Sequence, residues 1–255
     1  MKLEDLKQQL SQKLEQNSKI KIVQMECWTI PVHTLQITYI PVIRSKMDIL
    51  MKMLLISFQK GNFQHAEQLS DILLVEQLFI QDLMTKMQKT GLIEKEETHY
   101  QLTTKGLSQL SSGVFEEEQE PKTMELHYSP VHETFLYGDV EEVLDYEDFP
   151  EDSFRYVHQN EELQLSNERI LKELRDNKAN SESNEENQTQ EIISSVEAID
   201  ELQINDVPCI EFIEYSIEKN LYSARIWNTV EESWDEILEQ QINSKDRPTW
   251  KETFK

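Results

Sequence analysis

Residues 44–60 read RSKMDILMKMLLISFQK, and residues 65–74 and 76–91 follow as HAEQLSDILL and EQLFIQDLMTKMQKTG. In each run the apolar residues recur three or four positions apart, which is the spacing of a helix with one wide core face. Gly61 ends the first run, and Gly91 stands where a left-handed cap closes a helix, because glycine has no Cβ to oppose a positive φ. Three successive amphipathic helices are therefore predicted.

A short β-hairpin is predicted directly after the third helix. Leu92 and Ile93 precede a charged tip at residues 94–98, and Tyr100 to Leu102 form the return strand. Two short strands around a polar tip are what a wing requires.

The run GLI at 91–93, the polar tip and the run YQLTTKG at 100–106 together resemble the wing of MarR- and PadR-type bacterial regulators. The resemblance covers about residues 44–110 and implies a winged helix-turn-helix, an architecture that serves nucleic acid or a protein partner more often than chemistry. The helix spacing alone leaves a plain three-helix bundle as the alternative.

The flanking sequence predicts further short elements. Leu3 to Leu14 has helical spacing, and 20–30 and 34–43 are dense in β-branched and aromatic residues, so they read as a β-hairpin that turns around Pro31 to His33. Residues 124–137, MELHYSPVHETFLY, look like a second strand pair.

The second half of the chain is acidic and less regular. A helix is predicted near Leu163–Leu174, and DNKANSESNEENQTQE at 176–191 predicts a disordered linker because it has almost nothing apolar to bury. Beyond it we expect a helical stripe from Ile192 to Leu202, two strands joined at 218–220, and an amphipathic helix within 230–242.

The expected fold class is therefore α+β: a winged helix-turn-helix flanked by short β-hairpins, an acidic and partly disordered middle, and a small α+β C-terminal module. The predicted segments are 1–43 (helix and hairpin), 44–113 (winged helix), 114–175 (acidic strands and helix), 176–191 (linker) and 192–255 (acidic C-terminal module).

DNA binding requires lysine and arginine to meet the phosphate backbone. Residues 1–113 hold 13 Lys and Arg against 12 Asp and Glu, a net charge of +1, which is a weak electrostatic footprint. Glu94, Glu96 and Glu97 make the wing tip negative. The candidate DNA contacts are the polar residues of the third helix and the wing, namely Gln77, Gln81, Thr85, Lys86, Lys89 and Lys95.

Use of the same fold for protein docking is the alternative. The positions of Phe79 and Met84 distinguish the two functions. If both side chains point outward, protein docking is favoured; if both are buried, the third helix remains a candidate for DNA recognition. Trp227, Trp234 and Trp250 form either a core or a partner-binding patch. Residues 114–255 carry a net charge of −25, so this half repels nucleic acid and serves solubility, DNA mimicry or recruitment of a basic partner.

Catalysis is not expected. The chain has five glycines and no phosphate-cradling loop, and its six histidines form none of the zinc-protease motifs. Two distant cysteines and no closely spaced ligand set predict neither disulfide nor metal, and no cofactor. With no apolar signal segment, a cytoplasmic protein of bacterial type without a membrane span is expected.

The composition and motifs thus predict a non-enzymatic DNA-associated regulator or adaptor, in which the winged helix contacts DNA and the acidic half recruits a partner. The alternative is a structural subunit of a multiprotein assembly that uses the winged helix for docking.

Overall fold

The computed structural model describes residues 2–144, 149–156, 165–181 and 190–254, and it mixes helices with strands. In chain order the elements are α1 (Leu3–Glu15), β1 (Ile20–Lys46), α2 (Ile49–Lys60), α3 (Ala66–Leu73), α4 (Gln77–Lys89), β2 (Ile93–Glu96), β3 (His99–Leu102), α5 (Thr104–Ser112), β4 (Val114–Glu118), β5 (Lys122–Ser129), β6 (Thr134–Leu136), α6 (Val140–Leu144), α7 (Asn167–Ser181), β7 (Gln190–Ser216), β8 (Leu221–Asn228), β9 (Ser233–Trp234) and α8 (Glu236–Thr253). No helix within the described residues is both long and apolar enough to cross a membrane.

The chain divides into two compact units, each assembled from separate stretches. The first unit comprises Met1–Ile37, Thr123–Leu165 and Ala198–Lys255, and the second comprises Thr38–Lys122 and Ser166–Glu197. These units cut across the five predicted segments, because β1 pairs with β7 from the other end of the chain.

In the first unit the strands lie in the order β6-β5-β1-β7-β8-β9. The β5–β6, β7–β8 and β8–β9 pairs are antiparallel. Successive residues of β7 point to opposite faces of the sheet. Accordingly, Cys209 and Ile213 join a core that includes Leu238 and Ile242 of α8, whereas Ile210 and Phe212 pack with Leu3 and Leu10 of α1.

In the second unit β4 lies antiparallel to the end of β1, with Val42 opposite Glu118 and Lys46 opposite Val114. Helices α2 to α5 and the β2–β3 hairpin contribute to one core. Its buried residues are Met47, Met51, Leu54, Leu55, Phe58, Ala66, Leu69, Ile80, Met84, Met87, Leu92, Ile93 and Phe115.

A short polar side chain fixes where α2 begins, and a glycine follows the end of α4. The Asp48 Oδ1 atom accepts hydrogen bonds from the backbone N–H groups of Leu50 and Met51, at 2.8 and 3.3 Å, and so starts α2. Gly91 has a φ of 71° after α4, as the sequence predicts.

The two parts of the GLI and YQLTTKG pattern meet at the start of α5. Thr103 donates its hydroxyl to the Gly91 carbonyl at 2.6 Å and accepts from the Gly106 N–H at 3.0 Å. A Cβ atom at Gly106 would lie 2.1 Å from the Leu92 carbonyl oxygen. Only glycine therefore allows this approach, and α5, which the sequence reading did not predict, begins here.

The predicted hairpin over 20–43 is wrong, because β1 is one continuous strand of 27 residues. A tight hairpin turn needs residues with positive φ. Among the described residues of β1, which include the proposed turn at Pro31–His33, none has a positive φ.

The predicted helical stripe from Ile192 to Leu202 is also wrong, since these residues belong to β7. Isoleucine and valine favour strands, and the apolar run is too short for its period to distinguish a helix from a strand. The Ser194 hydroxyl donates to the Ile40 carbonyl of β1 at 3.2 Å.

Parts of the predicted linker 176–191 belong to a helix and a strand. Residues 176–181 continue α7, β7 begins at Gln190, and 182–189 lie outside the described residues, as do 145–148 and 157–164 of the predicted acidic middle. Ion pairing and hydrogen bonding hold these polar residues where burial does not: Lys178 pairs with Glu191 at 2.7 Å, and Arg175 donates to the Ile193 carbonyl from Nε and Nη2 at 3.1 and 2.8 Å.

Several other elements lie where the sequence predicted them. They are the N-terminal helix, the strand pair within 124–137, the two strands joined at 218–220, and a C-terminal helix, which begins at Glu236 and runs past the predicted stretch.

Candidate interaction site

The polar residues proposed to contact DNA all lie on the surface of the second unit. Gln77, Gln81, Thr85, Lys86 and Lys89 are exposed along α4, and Lys95 is exposed in β2. The structure thus brings five of the six onto one helix, as the sequence predicted.

The charge around these residues is less favourable to phosphate. The Lys86 Nζ atom is 3.0 Å from the Glu117 Oε2 atom of β4 and 5.1 Å from the centre of the Phe115 ring. Lys95 lies over the Tyr100 ring at 5.5 Å, between the exposed Glu94 and Glu96. A carboxylate therefore already meets the Lys86 ammonium group, and the hairpin presents negative charge.

Four large apolar side chains are exposed within eight residues of the same surface. Leu74 is 90% exposed, Leu78 70%, Ile72 61% and Phe79 56%. They occupy the end of α3, the α3–α4 turn and the first turn of α4. Scattered single apolar residues are normal on a surface, whereas a concentration of them marks an interaction site.

The turn that carries Leu74 is well defined. Leu74 adopts the left-handed conformation, with φ 55° and ψ 40°, and the Ser70 hydroxyl donates to the Val75 carbonyl at 2.6 Å across the turn. Val75 packs on the core of the unit. Leu74 thus points outward beside Val75, which the Ser70 hydrogen bond and packing on the core hold in place.

Phe79 and Met84 point in different directions. Met84 is fully buried with Ile80 and Met87, so it is not available to a partner, while Phe79 faces outward. Five helical positions correspond to a rotation of about 140°, so the helix geometry itself keeps the two side chains off one face.

The three C-terminal tryptophans belong to the first unit and contribute to its packing. Trp250, near the end of α8, is 5% exposed and belongs to the core of the unit. Trp227 and Trp234 are half-buried and meet edge to face at 5.3 Å, beside Phe212 and α1. Of the two readings, core and partner patch, their packing agrees with core.

Sequence reasoning missed a buried chain of polar groups in the first unit. Ser129 Oγ lies 2.7 Å from His132 Nδ1, and His132 Nε2 lies 2.7 Å from Asp235 Oδ2. Burial acts to raise the pKa of Asp235, but its interactions with His132 and its hydrogen bonds from the Leu238 N–H and the Asn228 amide together outweigh burial and leave that pKa below its usual value. More than a hundred positions separate Asp235 from the other two, so no local pattern announces the arrangement.

This Ser-His-Asp chain has the composition of a hydrolytic triad but not its access. The Ser129 side chain is fully buried, so a substrate does not reach its hydroxyl. Asp235 instead accepts from the Leu238 N–H and the Asn228 amide, both at 3.0 Å, and caps α8. These three hydrogen-bonded side chains connect the β5–β6 turn to the start of α8.

A polar cavity of about 470 Å³ opens elsewhere in the first unit. Its floor is a row of side chains on three neighbouring strands: His127 Nδ1 lies 3.2 Å from Thr34 Oγ1, which accepts from the Asn205 amide at 2.8 Å. Burial lowers the pKa of His127 below its usual value, although the negative charge of the nearby Glu125 acts to raise it. No group of acids, histidines and cysteines suited to a metal ion occurs among the described residues.

Comparison with protein-family models, with curated proteins and with solved structures gave no match to this chain.

Proposed function

We propose that this chain is a non-enzymatic adaptor, a structural subunit that binds another protein through α3 and α4 of a winged helix-turn-helix. Support for the winged helix comes from the order of α2, α3, α4 and the β2–β3 hairpin, and from the Thr103 and Gly106 contacts that tie the hairpin to α5.

The observation that carries the docking proposal is the exposure of Leu74, Leu78 and Phe79. In a helix-turn-helix that reads DNA, the first turns of the second helix enter the major groove and carry polar side chains toward base edges. Here Leu78 and Phe79 occupy that position. Burying them against a partner removes apolar surface from water, which is favourable.

DNA binding is the second candidate, and the observation in its favour is the row of exposed Gln77, Gln81, Thr85 and Lys89 along α4. Against it stand the pairing of Lys86 with Glu117 and the acids of the hairpin. The acidic second half of the chain adds repulsion toward phosphate.

Site-directed crosslinking in the cells that express the protein tests the docking proposal. A benzophenone amino acid is placed at position 78, and at position 202 as a control, because Leu202 is also half-exposed but lies on β7. We expect one predominant protein adduct from position 78, absent from position 202, that is lost when Leu74→Asn and Phe79→Ser are added. The absence of a patch-dependent adduct would overturn the proposal.

A titration of the full-length protein with duplex DNA tests the second candidate. If α4 met phosphate, Lys89→Glu would weaken binding and flatten its salt dependence, whereas Lys60→Glu, at the end of α2, serves as the matched charge control. We expect weak binding that these two variants reduce equally. A selective loss with Lys89→Glu would instead favour DNA reading.

A further inference from the structure

We infer that the partner of the α3–α4 surface, formed by Ile72, Leu74, Leu78 and Phe79, presents an apolar face bordered by lysine or arginine, and that Leu74 packs against this face; this inference rests on the docking function proposed above.

The α3–α4 surface is acidic. From Ala66 to Thr85 the sequence contains four acids and no lysine or arginine. The four are exposed, and they are Glu67, Asp71, Glu76 and Asp82.

These acids border the exposed apolar residues. Asp71 precedes Ile72, and Asp82 lies four positions after Leu78 and three after Phe79, so it shares a helix face with both. Among the described residues, the Glu76 carboxylate accepts no capping hydrogen bond at the start of α4, although it occupies the N-cap position. The apolar group thus has an acidic border.

Leu74 has a left-handed backbone conformation. The left-handed region is unfavourable for a residue with a Cβ atom, and asparagine or glycine is its usual occupant. Leucine gains nothing here within the chain, because its side chain is 90% exposed. An unfavourable backbone conformation that directs an apolar side chain into solvent is accounted for when a partner covers that side chain.

The same charges argue against a second copy of this surface as the partner. A symmetric contact between two such surfaces would bring acids against acids. Opposite charge on a foreign partner removes this repulsion and speeds association. The charges therefore favour a partner with an apolar face and a basic border.

Three labelled helical peptides of about 15 residues serve as probes, each with leucine on one face and with lysine, glutamine or glutamate on the other. Fluorescence anisotropy follows their binding to the full-length protein at low and high salt. The variant Leu74→Asn/Phe79→Ser removes the apolar contacts. Its matched control is Leu202→Asn/Ile204→Ser, which alters two half-exposed apolar residues of β7.

We expect the lysine peptide to bind tightest and to lose about tenfold in affinity with Leu74→Asn/Phe79→Ser, as for a contact residue of an interface. Asp71→Asn/Asp82→Asn should cost about two- to fivefold at low salt and little at high salt, where charges are screened. The control pairs Leu202→Asn/Ile204→Ser and Asp200→Asn/Asp206→Asn should change affinity less than about twofold. Circular dichroism verifies that each variant is folded.

Two outcomes would overturn the inference. If the glutamine peptide binds as tightly as the lysine peptide and still depends on Leu74 and Phe79, the basic partner is excluded while the docking function stands. If no peptide depends on these two residues more than on Leu202 and Ile204, this surface is not the apolar contact, and the crosslinking at position 78 decides the docking function separately.

Discussion

The side-chain amide of Asn243 in α8 forms two hydrogen bonds with the main chain of Ala224 in β8. Its oxygen accepts from the Ala224 N–H at 2.9 Å, and its nitrogen donates to the Ala224 carbonyl at 3.2 Å. One turn away, the Glu239 carboxylate accepts from the Ile226 N–H at 3.1 Å. The short strand β9 pairs with Trp227 and Asn228. Side chains of α8 thus occupy the hydrogen-bonding groups that an added strand would use, which protects this edge of the sheet.

Replacement of Asn243 by alanine should therefore destabilise the first unit by about 1–3 kcal/mol, because two main-chain groups lose their partners. Urea unfolding followed by tryptophan fluorescence measures this effect, since all four tryptophans belong to the first unit. Gln240→Ala, at an exposed position of the same helix, is the control and should cost less than about 0.5 kcal/mol. Equal unfolding midpoints for the two variants would contradict the assigned role of Asn243.

Glu231→Gln should stabilise the first unit at neutral pH. Partial burial of its carboxyl group, followed by the charge of Asp235, raises the pKa of Glu231 above its ordinary value of 4.5, although the residue as a whole is exposed. A carboxyl whose pKa is higher in the folded state than in the unfolded state costs stability once the pH rises above the folded value. The advantage of the glutamine variant should thus be largest at pH 7 to 8 and shrink as the pH falls toward 4.5.

Urea titrations of the wild type and Glu231→Gln across this range provide the measurement. Glu232→Gln removes the same charge from the next residue in the chain and is the matched control. An advantage that grows on acidification would have the wrong sign for a raised pKa.

Leu74→Asn should stabilise the second unit by up to about 1 kcal/mol, because asparagine tolerates the left-handed conformation better than leucine. The same change should weaken the crosslink from position 78, so that stability rises while binding falls. Hydrogen exchange of the core amides in α3 and α4 reports the stability. The control is Ile72→Asn, which removes another exposed apolar side chain, from a helical position, and should give no gain. A loss of protection in Leu74→Asn would refute the strain argument.

Phe79→Ala and Met84→Ala should differ strongly although both lie on α4. Met84 is fully buried, so its truncation should cost about 2–5 kcal/mol, whereas Phe79 is 56% exposed and should cost less than about 0.5 kcal/mol. Thermal unfolding followed by circular dichroism compares them. A similar, large cost at both positions would mean that Phe79 belongs to the core and would remove it from the proposed surface.

The elements that the sequence predicted correctly are those with local causes. The helices α1 to α4 follow from apolar spacing, and the C-terminal ends of α2 and α4 follow from Gly61 and Gly91. The exposure of the polar residues on α4 follows from the same period. The different directions of Phe79 and Met84 also follow from the sequence, because a separation of five helical residues corresponds to a rotation of about 140°.

The tertiary structure alone decided the course of β1 and β7. A strand obtains its hydrogen bonds from a partner that can lie anywhere in the chain, so residues 20–43 and 192–202 showed apolar runs without showing what they pair with. The buried contact of Ser129 and His132 with Asp235 arises for the same reason, because the fold brings together residues that are remote in sequence. Likewise, the exposure of Leu74 depends on how the chain turns between α3 and α4 around their shared core. The spacing of apolar residues within each helix does not determine that turn.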